Sequence, residues 1–267
     1  MSTEPPHVSS SRESENEEAR GGVVSNVRRW QARFADCSPL FWPLAGALEL
    51  LTGVAGPDGF PQPEEIDAAL GGRAGIRFER QRPVSRRRRG PRDPRDPASM
   101  YDARIAREGC VPTRPASWHD LMNALVWATF PLAKRALHER QHRLVVPAAP
   151  GESARRPREL DALALLDEGG VVVLASAAAP REERALEEAI ARGDATAFVF
   201  GHAIYEGLVF GRPAPLASVV VGAAGASGAT VEVADRALAG VLADPAQIVD
   251  PTDMLRLRAD ERLLRAM

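Results

Sequence analysis

The chain has 267 residues, 45% of them hydrophobic, and a formal net charge of −2. That length suggests one large folded unit or two small ones, with apolar residues enough for a sizeable core. Two cysteines, Cys37 and Cys110, far apart in the chain, exclude a disulfide framework and argue for a reducing compartment.

Charge is unevenly spread. Residues 1–20 are acidic, with Glu4, Glu13, Glu15, Glu17 and Glu18, whereas residues 73–95 hold ten arginines against Glu79 and Asp93. Lys134 is the only lysine. This bias towards arginine matches GC-rich coding, so it is weak evidence for nucleic-acid binding. Residues 1–22, rich in Ser, Glu and Pro, read as a disordered acidic tail. They lack the apolar stretch of a secretory signal, which leads to the expectation of a cytoplasmic protein. The uncharged stretch Pro213–Val231 is too rich in Gly and Ala to insert in a membrane, and no span is expected.

Residues 23–267 are expected to form one domain. A first helix is predicted from about Val23, with Val27, Trp30 and Phe34 at helical spacing, ending near Asp36. Leu40–Leu51, interrupted by Pro43 and Gly46, predicts irregular structure or a short helix. Pro61-Gln62-Pro63 opens another helix reaching Leu70, with Gly71-Gly72 as its stop. Ile76–Arg80 alternates like a strand. Residues 82–97 contain Arg86-Arg87-Arg88-Arg89 and several prolines. Without interleaved aromatics they read as an exposed Arg/Pro-rich loop rather than a nucleic-acid site.

Leu160–Leu166 and Val171–Ser176 flank Asp167-Glu168-Gly169-Gly170 and predict a β-hairpin near 160–176. Arg181–Arg192 predicts an amphipathic helix ended by Gly193, and Asp194 is placed as N-cap of a helix running to about Val209. Leu216–Val221 reads as a strand and Val233–Leu242 as a helix. The total is α+β, mostly helical with a small antiparallel sheet.

Ser117-Trp118-His119-Asp120 opens the most informative segment. Ser117 is a predicted N-cap, and Asp120 is positioned to complete a capping box. The following helix is apolar nearly all round, as a buried helix must be. His119 and Asn123 on its surface are then buried polar groups in need of partners, as is the second pair, His202 and Glu206, one turn apart in an apolar run. Gly201 marks a close backbone approach. The economical reading is that the two pairs meet, either as a structural polar network or as the floor of a polar pocket. Two histidines and a carboxylate there suit a metal, His119, His202 and Glu206 being the candidate ligands. His138 and His142 read as a solvated face, and Cys110 as a buried thiol without a base. No phosphate loop, nucleophile elbow or H-E-x-x-H occurs, and no spacing motif identifies a cofactor or partner.

Val111-Pro112-Thr113-Arg114, Ser117-Trp118-His119-Asp120-Leu121, Asn123-Ala124-Leu125-Val126-Trp127, Phe130-Pro131 and Lys134 resemble the bacterial family called domain of unknown function 3025. So do Asp161-Ala162-Leu163, Asp167-Glu168-Gly169 and Phe200-Gly201-His202-Ala203 with Tyr205-Glu206. The resemblance covers roughly residues 100–210 and fades after Gly211. It implies a soluble bacterial protein whose signature residues include His119, Asp120, Asn123, Lys134, His202 and Glu206, and it supplies no substrate.

Two function classes follow. In one, the polar cluster locks the core of a structural or binding module. In the other, His119, Asp120, Asn123, His202 and Glu206 serve an enzyme or metal-binding protein acting on an anionic small molecule, with Arg114 and Lys134 as ligand-binding residues. Access of solvent to His119 and His202 separates them.

Overall fold

A computed structural model describes residues 30–54, 59–81, 101–144, 157–175, 180, 182–224 and 228–264. The expected acidic tail and the Arg/Pro-rich loop lie outside the described residues. So does most of the first predicted helix, of which Trp30 and Phe34 stack or meet edge-on with Trp118.

Two 3-10 turns, Phe34–Cys37 and Pro39–Leu44, lead into α1 (Ala45–Leu51). α2 (Pro63–Ile66) runs through a π turn, Asp67–Gly71, into α3 (Gly72–Ala74). The Gly71-Gly72 stop expected from sequence is overridden. The helix ends instead at Gly75, whose φ of +63° is the left-handed conformation glycine adopts at low cost. β1 (Arg77–Arg80) pairs in parallel with β2 (Cys110–Thr113), and α4 (Tyr101–Glu108) precedes the latter.

α5 (Trp118–Thr129) and α6 (Pro131–Leu144) form the central helical pair. From Leu121 to Ala128 every residue of α5 is buried, as its all-round apolarity requires. The Leu132 and Ala133 amides at the start of α6 donate to Asp235, satisfying donors that the helix itself leaves orphaned.

The hairpin predicted near 160–176 is not formed. Residues Arg158–Gly169 make helix α7, and only Gly170–Ala175 makes a strand, β3. Leu160, Leu163 and Leu166 are buried at helical spacing, and Glu159 and Asp161 favour the positive end of the helix dipole. Asp167-Glu168-Gly169 is therefore a last helical turn. α8 (Glu183–Arg192) ends at Gly193 as expected. The helix expected from Asp194 is instead strand β4 (Ala195–Val199) followed by α9 (His202–Val209). Gly201 thus caps a helix rather than sitting within one.

β5 (Leu216–Ala223), α10 (Val231–Ala243) and β6 (Leu255–Arg258) complete the chain. The sheet order is β4-β3-β5-β6, with β3 and β5 parallel and the outer pairings antiparallel. The fold class is α+β, but the sheet is mixed rather than antiparallel. β3, buried at every residue, is the centre against which α7 and α10 pack, and α9 lies on α5 and α7. Among the described residues no helix is long and apolar enough to cross a membrane.

Arg140, 2% exposed, ties α6 to the turn after α10. It donates to the carbonyls of Leu242, Asp244 and Gln247 and pairs with Glu159. Satisfied on so many sides, it is a buried cation without a desolvation deficit.

Candidate functional site

The site lies where α5, α7 and α9 converge. The Ser117 hydroxyl accepts from the Asp120 amide at 3.2 Å, which fixes the first turn of α5 and the placement of His119. The reciprocal half of the expected capping box is absent. Asp120 accepts instead from the Arg114 amide at 2.6 Å and from Nε and Nη2 of its guanidinium at 2.9 and 2.7 Å. A bidentate charged donor outcompetes a single cap amide. Ser117→Ala is expected to lower stability by about 1 kcal/mol in chemical denaturation, the ordinary worth of an N-cap.

Gly201 delivers His202. A Cβ there would lie 2.4 Å from the Gly170 nitrogen and 2.5 Å from the Glu168 oxygen. The Phe200 and Gly201 amides both donate to the Gly170 carbonyl, at 2.9 and 2.8 Å. The β4–α9 turn therefore sits directly on the α7–β3 junction, the close backbone approach read from sequence. His202 Nδ1 consequently donates to the Asp167 main-chain oxygen at 2.8 Å.

That contact fixes a tautomer. A carbonyl oxygen only accepts, so Nδ1 of His202 bears the proton and Nε2 carries the lone pair. His119 Nδ1 stands 3.1 Å from Glu206 Oε2; with Nδ1 donating to that carboxylate, Nε2 carries a lone pair in the neutral ring and a proton in the imidazolium. The two Nε2 atoms face each other 3.1 Å apart, the rings inclined at 76°. The His202 lone pair needs an electrophile at that distance, which either a proton on His119 Nε2 or a metal ion supplies. Glu168 Oε2 is 3.4 Å from His202 Nε2, and ligand atoms of His119, Glu168 and His202 all lie within 4.8 Å of one another.

His119 thus meets His202 and Glu206, as their sequence placement predicted, whereas Asn123 does not join them. Glu206 contacts His119 on the Nδ1 side, and Glu168, taken in the sequence for a turn residue, stands beside the His202 Nε2. One signal pointed to it. Asp167 and Glu168 close helix α7 at its negative end, where carboxylates are disfavoured unless something compensates.

For Asp167 the compensation is Lys134. This lysine is fully buried and ion-paired to Asp167, with Trp127 and Phe200 rings within 5.7 and 5.8 Å. Lys134, expected from sequence to bind a ligand, is not among the residues lining the cavity and is paired with Asp167 at the end of α7. Burial alone would push the Asp167 carboxyl up, but Lys134, His202 and His138 together hold it well below the usual carboxylate range. Burial, with the nearby Lys134 and His119, pushes His202 down to about 3, so its imidazole is neutral at physiological pH.

A cavity of about 820 Å³ opens onto this cluster, lined by Tyr101, Arg104, Asp120 and Asn123 as well as both histidines. His119 is 35% exposed on its side chain and His202 3%. Arg114 borders the cavity with its charge committed to Asp120. Asn123 lies on the same wall but binds Tyr101 rather than the histidines, its Nδ2 donating to the phenol at 2.9 Å. His138, expected on a solvated face, is buried and stacked on Trp127 at 5.4 Å. Helix α6 turns that side towards the core, because Lys134, Leu137, His138 and Gln141 share one face and all are buried. Cys110 is buried as expected, and burial pushes its thiol up to about 11, which makes it a poor nucleophile.

Fold and site define an α+β protein with a histidine–carboxylate cluster at the wall of an open polar cavity. Residues 91–257 match the family model described as Protein of unknown function (DUF3025), and the chain belongs to that family. The match extends through β5, α10 and β6, beyond the segment in which the resemblance was legible by eye. No curated protein and no solved structure matches the chain.

Proposed function

We propose that the protein binds one divalent metal ion through His119, His202 and Glu168, and uses it on a small molecule held in the cavity. One observation carries this reading: two imidazole Nε2 atoms 3.1 Å apart, with a carboxylate beside them, at a solvent-connected wall. Two nitrogens each about 2.0–2.1 Å from a tetrahedral zinc stand roughly 3.3 Å apart, so little rearrangement is needed. Glu206 on His119 and the Asp167 carbonyl on His202 supply the outer hydrogen bonds that metal-bound histidines characteristically have. An ion held there would act as a Lewis acid toward water or a substrate oxygen. The reading of the cluster as a purely structural network draws support from the buried Lys134–Asp167 pair. It leaves Glu168 beside the two histidines and the open cavity without a purpose.

The test is metal analysis of purified protein, followed by zinc and cobalt titration of chelator-treated protein. One ion per chain is expected, with the visible absorption of tetrahedral cobalt and a rise in melting temperature on loading. Glu168→Gln, at a half-exposed position, should weaken binding by more than about tenfold without loss of fold, and Glu206→Gln by about tenfold or more. Wild-type protein that binds no stoichiometric metal, or a Glu168→Gln variant that binds it equally well, would sink the proposal.

A further inference from the structure

The wall of the cavity carries a second set of polar groups that the metal cluster does not use. Asn123 on α5 and Gln141 on α6 are 7% and 8% exposed, and both line the cavity. The Asn123 Nδ2 is committed to the Tyr101 phenol. The Asn123 Oδ1 and Gln141 Oε1 are buried and accept no hydrogen bond among the described residues. Exchanging oxygen and nitrogen in either amide would alter which atom is left over, not the presence of unspent hydrogen-bonding capacity. Two carboxamides bordering one cavity with capacity to spare are a costly arrangement for a core and an ordinary one for a recognition surface.

The charges around them narrow what they recognise. Among the described residues, each guanidinium lining the cavity already has a carboxylate. Arg80 pairs with Glu64, Arg104 with Glu79 and Glu108, and Arg114 with Asp120. A carboxylate or phosphate entering beside the two carboxamides would be desolvated with no cation released to meet it, and an ammonium with no free carboxylate.

We infer that Asn123 and Gln141 form a specificity subsite for an uncharged, hydrogen-bond-donating group, a carboxamide or hydroxyl end of the substrate, while the reacting end lies at His119 and His202. This replaces the anionic ligand expected from sequence with a neutral polar one. It rests on the metal reading, and the test separates the two.

Zinc-loaded full-length protein is titrated calorimetrically with alkyl hydroxamates, which chelate the metal at one end. Their other end is a primary amide, a hydroxyl, a carboxylate or a methyl group, on spacers of increasing length. At the best spacer, the amide or hydroxyl compound should bind roughly tenfold or more tightly than its carboxylate and methyl counterparts, since a site built to bond a donor rejects an analogue lacking it. Preference between amide and hydroxyl identifies the substrate end. Gln141→Leu, of similar volume, should erase that advantage while leaving affinity for the methyl compound unchanged, and should fold at least as stably as the wild type. If the hydroxamates as a class do not bind, the metal reading fails. If all bind with equal affinity, or the carboxylate binds best, the metal reading stands and the neutral subsite is overturned. An amide advantage that survives Gln141→Leu undiminished overturns the assignment of the subsite to that residue.

Discussion

Replacing Lys134 with methionine is expected to lower the unfolding free energy by about 3–5 kcal/mol, the usual cost of stranding one charge of a buried pair. Lys134 is fully buried and its partner Asp167 only 15% exposed on its side chain. Methionine fills similar volume, so the loss reports charge rather than a cavity. The double variant Lys134→Met/Asp167→Asn should recover most of it, because neither charge is then left alone. Urea denaturation of both proteins checks this. If the double variant is as unstable as the single one, packing around the lysine stem is the cause, and the ion pair is not. The pH dependence has a definite sign. The Asp167 carboxyl is depressed in the folded state, so its contribution is complete above the unfolded carboxyl value of about 3.9. It is lost as pH falls below that through the folded value, and Lys134→Met should flatten this acid limb.

Gly201→Ala is expected to cost about 3 kcal/mol, the upper end of what one extra methyl inflicts on a filled interior. The added carbon would meet the main chain of Glu168, Gly169 and Gly170 at 2.4–2.6 Å. Backbone atoms cannot rotate aside as a side chain does, so the β4–α9 turn must lift from the α7–β3 junction. That movement withdraws His202 from the Asp167 carbonyl and from Glu168. The variant should therefore lose metal affinity as well as stability, and the second effect distinguishes it from an ordinary core defect. Thermal unfolding with and without zinc reads both. A Gly201→Ala protein of unchanged stability would show that the junction is looser than its geometry indicates.

Much of the site was legible from residue type and local pattern. An all-apolar helix carrying His119 and Asn123, and an apolar run carrying His202 and Glu206, are each costly unless a partner exists. That cost, rather than any spacing motif, brought the two histidines together on paper. What pattern misassigned were residues whose role is set by the far side of a contact. Asp120 had an adequate local explanation as a cap, but Arg114 six residues earlier offered it more. Lys134 read as a ligand-binding cation, and only the tertiary placement of Asp167 on α7 brings it a buried carboxylate partner. His138 lay among charged neighbours and still faces inward, because α6 presents that side to Trp127.

The errors in secondary structure share one cause. Leu160–Leu166 and Ala195–Val199 are short apolar runs, for which helical and extended periods fit equally well. The choice between them was made by the sheet. β3 is buried throughout and pairs with β5 on one side and β4 on the other, so residues 195–199 were drawn into extended structure while 158–169 lay across the fold as a helix. The sequence by itself determined that α5 is buried, that Ser117 starts it, that Gly201 permits a close crossing, and that two histidines need company. Only the tertiary structure decided which atoms face each other. Tautomer, distance and the arrival of Glu168 depend on three chain segments meeting to within an ångström, and no local propensity acts over that separation.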